Sequence, residues 1–271
     1  MNEPLDPVAL AGGSARAWLQ RIGTFGSVLA LIILGASILL RLTSVFNPQG
    51  RVGSALEPAL EQVVRMLHRL SASGVALLAL CAVVLCWRQR RVAPQLARPT
   101  AWIVTSTLVL AIIGPFTPGY RLAAITVVNV SCGVLLLMSF WWLRESVASY
   151  SVGRRSVDAF SWLAIVALLL QVGTGAAASA WEMQGVHWPA LVHLAWVVLC
   201  IIPIGVLLLD QRGRSSPSWN TFAVAGLLAG QVLLGYLLMW QGSRSVGLSF
   251  LHAMLAPLLA AGLVSLIKRC Q

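Results

Sequence analysis

Eight apolar runs follow one another along the chain, separated by short connections rich in arginine, glycine and proline. They cover residues 22–42, 62–87, 100–116, 122–143, 158–181, 188–209, 218–241 and 247–267. A helix needs about 20 apolar residues to cross the hydrocarbon core of a bilayer, and the runs match that length. They lack the apolar–polar alternation of a membrane barrel strand, so the pattern predicts eight helices. The third run is short and ends at Gly114-Pro115, which predicts an irregular end there. The longest connection, residues 43–61, holds Pro48, Gly50, Gly53 and Pro58 and reads as a loop covering one end of the bundle.

Composition removes the competing classes. Hydrophobic residues make up 58% of the chain, charged residues only 10%, and the mean hydropathy is +0.84. Soluble domains carry roughly 25% charged residues, because much of their exterior must face water. A soluble enzyme, a disordered chain and a small disulfide-stapled domain are all excluded. The expected fold class is an all-α polytopic membrane protein. The net charge of +11 then has a simple explanation, with no nucleic-acid partner. Of the 19 basic residues, 13 fall on one side: Arg16, Arg21, Arg88, Arg90, Arg91, Arg98, Arg144, Arg154, Arg155, Arg212, Arg214, Lys268 and Arg269. Basic residues favour the cytoplasmic side, which places both termini there, in a bacterial-type plasma membrane. The polar start of the first run, with no small-residue cleavage site, argues against a removable signal peptide.

The second half of the chain repeats the first. A four-helix unit over 1–155 is followed by another over 156–271. The chain has four histidines, and three occupy repeat-related positions. His193 follows His68 by 125 residues, and a similar step back from His252 lands on Asn129. These four positions lie in the second, fourth, sixth and eighth helices, roughly 6–10 Å inside the non-cytoplasmic end at 1.5 Å per residue. Ionisable residues inside a membrane are costly and usually face a bundle interior. A structural hydrogen-bonding role is the bland alternative for a lone histidine, and three at one depth weaken it. Neutral imidazole on facing helices is a common axial ligand of haem iron. His193 and His252 therefore form the sharpest candidate pair. His68 faces Asn129, a poor ligand for haem iron.

A haem carries two carboxylates that would point to the nearby surface, where arginine can clamp them. Arg41 and Arg69 are in helical register for this. Arg121 and Arg244 read instead as snorkelling interfacial residues. His187, followed by Trp188 and Pro189, reads as an interfacial residue at a helix start. Trp141, Trp142, Trp162, Trp181, Trp219 and Trp240 fall towards span ends, where indole is favoured. The five cysteines show no metal-ligand spacing, and no external disulfide is expected.

Several short motifs recur in order. The first helix carries Leu34-Gly35-Ala36 and Arg41-Leu42-Thr43, and the second His68-Arg69. The fifth carries Gln171-Val172-Gly173, the seventh Gln231-Val232-Leu233-Leu234-Gly235, and the eighth Phe250-Leu251-His252-Ala253. In order, spacing and duplication the chain resembles the haem A synthase family of cytochrome oxidase assembly proteins, over essentially all eight helices. The resemblance implies an oxidoreductase that converts haem O to haem A by oxidising a ring methyl to a formyl group. It implies haem b as cofactor on His193 and His252, and substrate haem on His68. It further implies a haem O synthase and oxidase assembly components as partners, beside the lipid bilayer; self-association is left open.

Two positions depart from the family pattern. Asn129 stands where the family has its other substrate-side histidine, and Arg65 where it has a glutamate that takes part in the chemistry. Glu61 offers a partial catalytic substitute, because it lies seven residues before His68 on one helical face. The alternative for Glu61 is an interfacial ion pair with Arg65, four residues on. The departures also support a second reading, a non-catalytic haem b-binding assembly factor or electron-transfer cytochrome. A third reading is a repeat-built transporter, which would place its polar residues nearer the bilayer midplane.

Overall fold

The computed structural model describes residues 13–46, 52–91, 93–116, 123–148, 159–182, 187–212, 219–241 and 245–269. Eight helices carry the fold: α1 (Gly13–Leu42), α2 (Pro58–Gln89), α3 (Ala97–Ile113), α4 (Ala123–Ala148), α5 (Ala159–Glu182), α6 (Trp188–Arg212), α7 (Trp219–Trp240) and α8 (Val246–Arg269). Each belongs to a span long and apolar enough to cross a membrane. A backbone in lipid must satisfy its own N–H and C=O groups, and a continuous helix does so within one segment. The chain is an all-α, multi-pass integral membrane protein.

Local sequence sets the helix ends. Pro58 opens α2, and the Glu57 carboxylate caps it by accepting from the Leu60 N–H at 3.1 Å. A single 3-10 turn, Gly114–Phe116, ends the third span where Gly114-Pro115 predicts irregularity. α1 begins nine residues before its apolar run. That first stretch is amphipathic: Leu19 is buried, while the Arg16 Nε donates to the Val147 carbonyl at 3.1 Å near the end of α4.

The connection after α1 departs from the expected irregular loop. Ser44–Phe46 (β1) and Val52–Ser54 (β2) pair as a short antiparallel hairpin, with Val45 opposite Gly53. Val45, Phe46 and Val52 favour extended backbone, and the intervening Pro48 and Gly50 are turn formers. The hairpin is tied down where the Ala55 N–H donates to the Thr43 carbonyl at 2.7 Å.

α1 to α4 form a closed set: α1 packs on α2 and α4, and α3 packs on α4 and more lightly on α2. In the second half α5 packs on α6 and α7 on α8, but these two hairpins meet only lightly, through α5 with α8 and α6 with α7. α4 is shared between the halves, packing on both α5 and α8. Its buried Leu136, Leu137, Phe140 and Leu143 form the centre of the core. Trp141, expected at the interface, instead turns between the halves, its Nε1 donating to Ser265 Oγ at 2.6 Å.

The two halves differ in how far the core extends. In the first, Leu34, Ile38 and Arg41 of α1, Val64 of α2 and Thr126 of α4 stay buried to the end that carries His68. In the second, no residue is buried in 190–199 of α6, 225–240 of α7 or 245–256 of α8. Burial resumes towards the opposite end, at Cys200, Ile204, Val224, Leu259 and Leu263. At the histidine end Val172, Ala176, Ala177 and Ala180 of α5 and Pro189 of α6 stay buried, so the second bundle opens there only along α6, α7 and α8.

Candidate functional site

His193 and His252 lie in the open end, one on each hairpin. Their ring centres are 6.4 Å apart and their planes lie at 89°. Each is flanked by a glutamine and a glycine from the partner helix of its own hairpin. On α5, Gln171 Nε2 lies 3.1 Å from His193 Nδ1 and 3.3 Å from Nε2, and donates to the His193 carbonyl at 3.3 Å. Gly175, one turn on, leaves room for the ring: a Cβ there would sit 2.9 Å from His193 Cε1. On α7, Gln231 Nε2 lies 3.5 Å from His252 Nε2. A Cβ on Gly235, again one turn on, would sit 3.2 Å from His252 Cε1. The same Gln-x-x-x-Gly ledge supports both imidazoles, and the two ledges are sixty residues apart.

Only part of this site is legible in the sequence. Matching the first half to the second finds the histidines, and the motifs of the fifth and seventh helices already include Gln171, Gln231 and Gly235 but not Gly175. Comparing α5–α6 with α7–α8 exposes the Gln171/Gly175 and Gln231/Gly235 ledges directly. Gly173, one of the motif residues, serves packing between the halves instead, since a Cβ there would meet Ser131 and Val127 of α4. Thr174 was not anticipated at all. Its Oγ1 lies 3.2 Å from His193 Nδ1 and 3.1 Å from the Gln171 carbonyl.

The fit to a metal can be tested on these distances. A metal–imidazole bond is about 2.0 Å, and a ring centre lies about 1.2 Å behind its nitrogen, so two imidazoles on opposite sides of one metal, each with a nitrogen aimed at it, have centres about 6.4 Å apart, against about 5.2 Å at a tetrahedral metal. The His193 and His252 ring centres match the first spacing. Among the described residues no group of three His, Cys, Asp or Glu is placed to hold a metal. Two imidazoles without a third protein ligand suit a metal whose remaining positions come from a macrocycle. Buried polar atoms at the site point the same way: His252 Nδ1 and both glutamine Oε1 atoms lack a hydrogen-bond partner among the described residues. The surrounding unburied faces of α6, α7 and α8 are apolar, as a macrocycle requires.

The first half brings the other expected residues together differently. His68 and Asn129 line one small cavity of about 20 Å³, with Ala30, Ser37, Leu110 and Gly133. That space is large enough for one water molecule. Neither a glutamine nor a carboxylate is among the described residues that line it. Glu61 pairs with Arg65 one turn along α2, the Arg65 Nε donating to Glu61 Oε1 at 2.7 Å. Arg65 and Arg69 are exposed, whereas Arg41 is buried at the end of α1. His187 is exposed just before α6. Arg121 and Arg244 lie outside the described residues. No family model matches the chain, and no curated protein matches it.

Proposed function

We propose that the chain is a haem-binding membrane oxidoreductase of the haem A synthase type, holding haem b between His193 and His252. The observation that carries this reading is the 6.4 Å separation of the two rings across a cleft between helix hairpins. The haem would supply one-electron redox chemistry. The chain's own residues supply the rest. His193 and His252 offer nitrogen donors from opposite hairpins. Gln171, Gly175, Gln231 and Gly235 seat the rings, and the apolar walls of α6, α7 and α8 exclude water. With the basic end in the cytoplasm, the site faces the outer side of the membrane.

In its full form the reading includes oxidation of haem O to haem A at the His68 and Asn129 end of the first half. Turning a methyl into a formyl group with oxygen from water removes four electrons and four protons. The electrons need an oxidant outside the chain, of the quinone or dioxygen class, and a haem b in the second half would relay them towards it one at a time. One observation favours the second reading, a non-catalytic haem b protein: the cavity at His68 has no carboxylate in its described lining, and Glu61 is engaged with Arg65.

The test is haem identity in protein purified in mild detergent from cells that make haem O. The expected result is haem b with a six-coordinate, two-histidine spectrum, which His193→Ala and His252→Ala each abolish. Haem A, or a hydroxylated haem O, beside it would support the full enzyme reading. Haem b alone would support the cytochrome reading. Folded protein without haem would overturn both.

A further inference from the structure

The two histidine ledges are alike in glutamine and glycine but not in the residue between them. Three residues after Gln171 stands Thr174; three after Gln231 stands Leu234. A threonine hydroxyl has one hydrogen to give. Thr174 Oγ1 lies 3.1 Å from the Gln171 carbonyl and 3.2 Å from His193 Nδ1, so that hydrogen serves one of the two. Thr174 therefore ties His193 Nδ1 to α5. The Gln171 amide nitrogen lies against the same ring, 3.1 Å from Nδ1 and 3.3 Å from Nε2. His252 has no such lock. Its Nδ1 is buried without a hydrogen-bond partner among the described residues, and the Gln231 side chain lies 3.5 Å from its Nε2.

A hydrogen bond to the far nitrogen of a metal-bound histidine fixes the ring and raises its basicity as a ligand. We infer that His193 is the anchoring ligand, locked by Thr174 with Nε2 as its donor atom. His252 is the exchangeable ligand, on whose side a small neutral molecule reaches the metal. Thr174 is a positioning residue, acting through His193. The inference rests on the two-histidine reading above and adds an order to the pair.

Carbon monoxide is the probe, with haem retention as a second readout. In reduced wild-type protein, carbon monoxide should replace one histidine and leave haem bound. His252→Ala should retain haem in a five-coordinate form, while His193→Ala should lose it. Thr174→Val should speed haem loss from a His252→Ala background by about tenfold or more, the usual cost of removing such a partner. Thr174→Ser should restore retention, and Leu234→Thr should slow replacement of His252 by carbon monoxide. A wild type without a two-histidine spectrum would mean that the underlying reading has failed. A two-histidine spectrum with equal haem loss from both alanine variants, or with no effect of Thr174→Val, would overturn the inference alone.

Discussion

Replacing Gly175 by alanine tests the seating of His193 with a single methyl group. The new Cβ would stand 2.9 Å from His193 Cε1 and 3.2 Å from Nδ1, whereas at Gly235 the nearest ring atom of His252 would be 3.2 Å away. Carbon atoms rest comfortably from about 3.5 Å, so the His193 ring must retreat by about 0.6 Å and the His252 ring by about 0.3 Å. Metal–ligand distances tolerate about 0.2 Å. Overpacking of this kind costs about 1–3 kcal/mol, or roughly 5-fold to 150-fold in haem retention at 1.4 kcal/mol per decade. Gly175→Ala should fall in the upper part of that range and Gly235→Ala in the lower. Alanine is the better helix former by about 1 kcal/mol, so a loss cannot come from helix propensity. Gly205→Ala and Gly226→Ala are the controls, since a Cβ at either meets open space. The assay is the haem-to-protein ratio after purification, followed by the rate of haem transfer to an excess of a scavenging apoprotein. If Gly175→Ala retained haem as well as Gly205→Ala, the imidazole would not be seated against position 175 and the ledge would have no part in holding haem.

Other substitutions probe the remaining features. Asn129→His puts a second imidazole on the cavity lined by His68, which has room for only a water molecule, so haem content should stay at one per chain; a rise towards two would show that the first half opens to admit haem. Glu61→Gln breaks only a partly exposed i,i+4 ion pair, so thermal stability should change by no more than about 0.5 kcal/mol, with unchanged haem spectra. A drop in the spectra would instead connect Glu61 to the site. Trp141→Phe removes the hydrogen bond to Ser265 that joins α4 to α8 and should cost about 1 kcal/mol of stability, read as a lowered melting temperature in detergent. No shift would show that apolar packing alone joins the halves there.

Most of the fold was legible because the bilayer simplifies the code. A run of about 20 apolar residues has essentially one structure open to it in lipid, and all eight predicted spans coincide with helices to within a few residues, apart from the start of α1. That exception arises where α1 continues past its apolar run on an amphipathic turn held by Arg16, a tertiary contact invisible in hydropathy. The β1–β2 hairpin was missed because Pro48 and Gly50 read as loop, although Val45, Phe46 and Val52 carried a strand signal. At the site, the histidines stood out because ionisable groups are rare inside membranes. Gly175 did not, because a glycine that seats a ring resembles a glycine that packs a helix. Thr174 was silent for a different reason: only the packing of α6 on α5 brings its hydroxyl within 3.2 Å of His193 Nδ1.

The unequal packing of α7 has a consequence for how the molecule comes apart. α8 is held by α4 and α1 as well as by α7, whereas α7 rests mainly on α8. Opening free energies vary across a protein, and segments with few buried neighbours open first. Amide exchange in detergent should therefore begin in residues 225–240 and reach α4 last. Anything that fills the cleft between the hairpins adds a second partner for α7, so protection of that one helix becomes an internal gauge of occupancy, readable without any colour change.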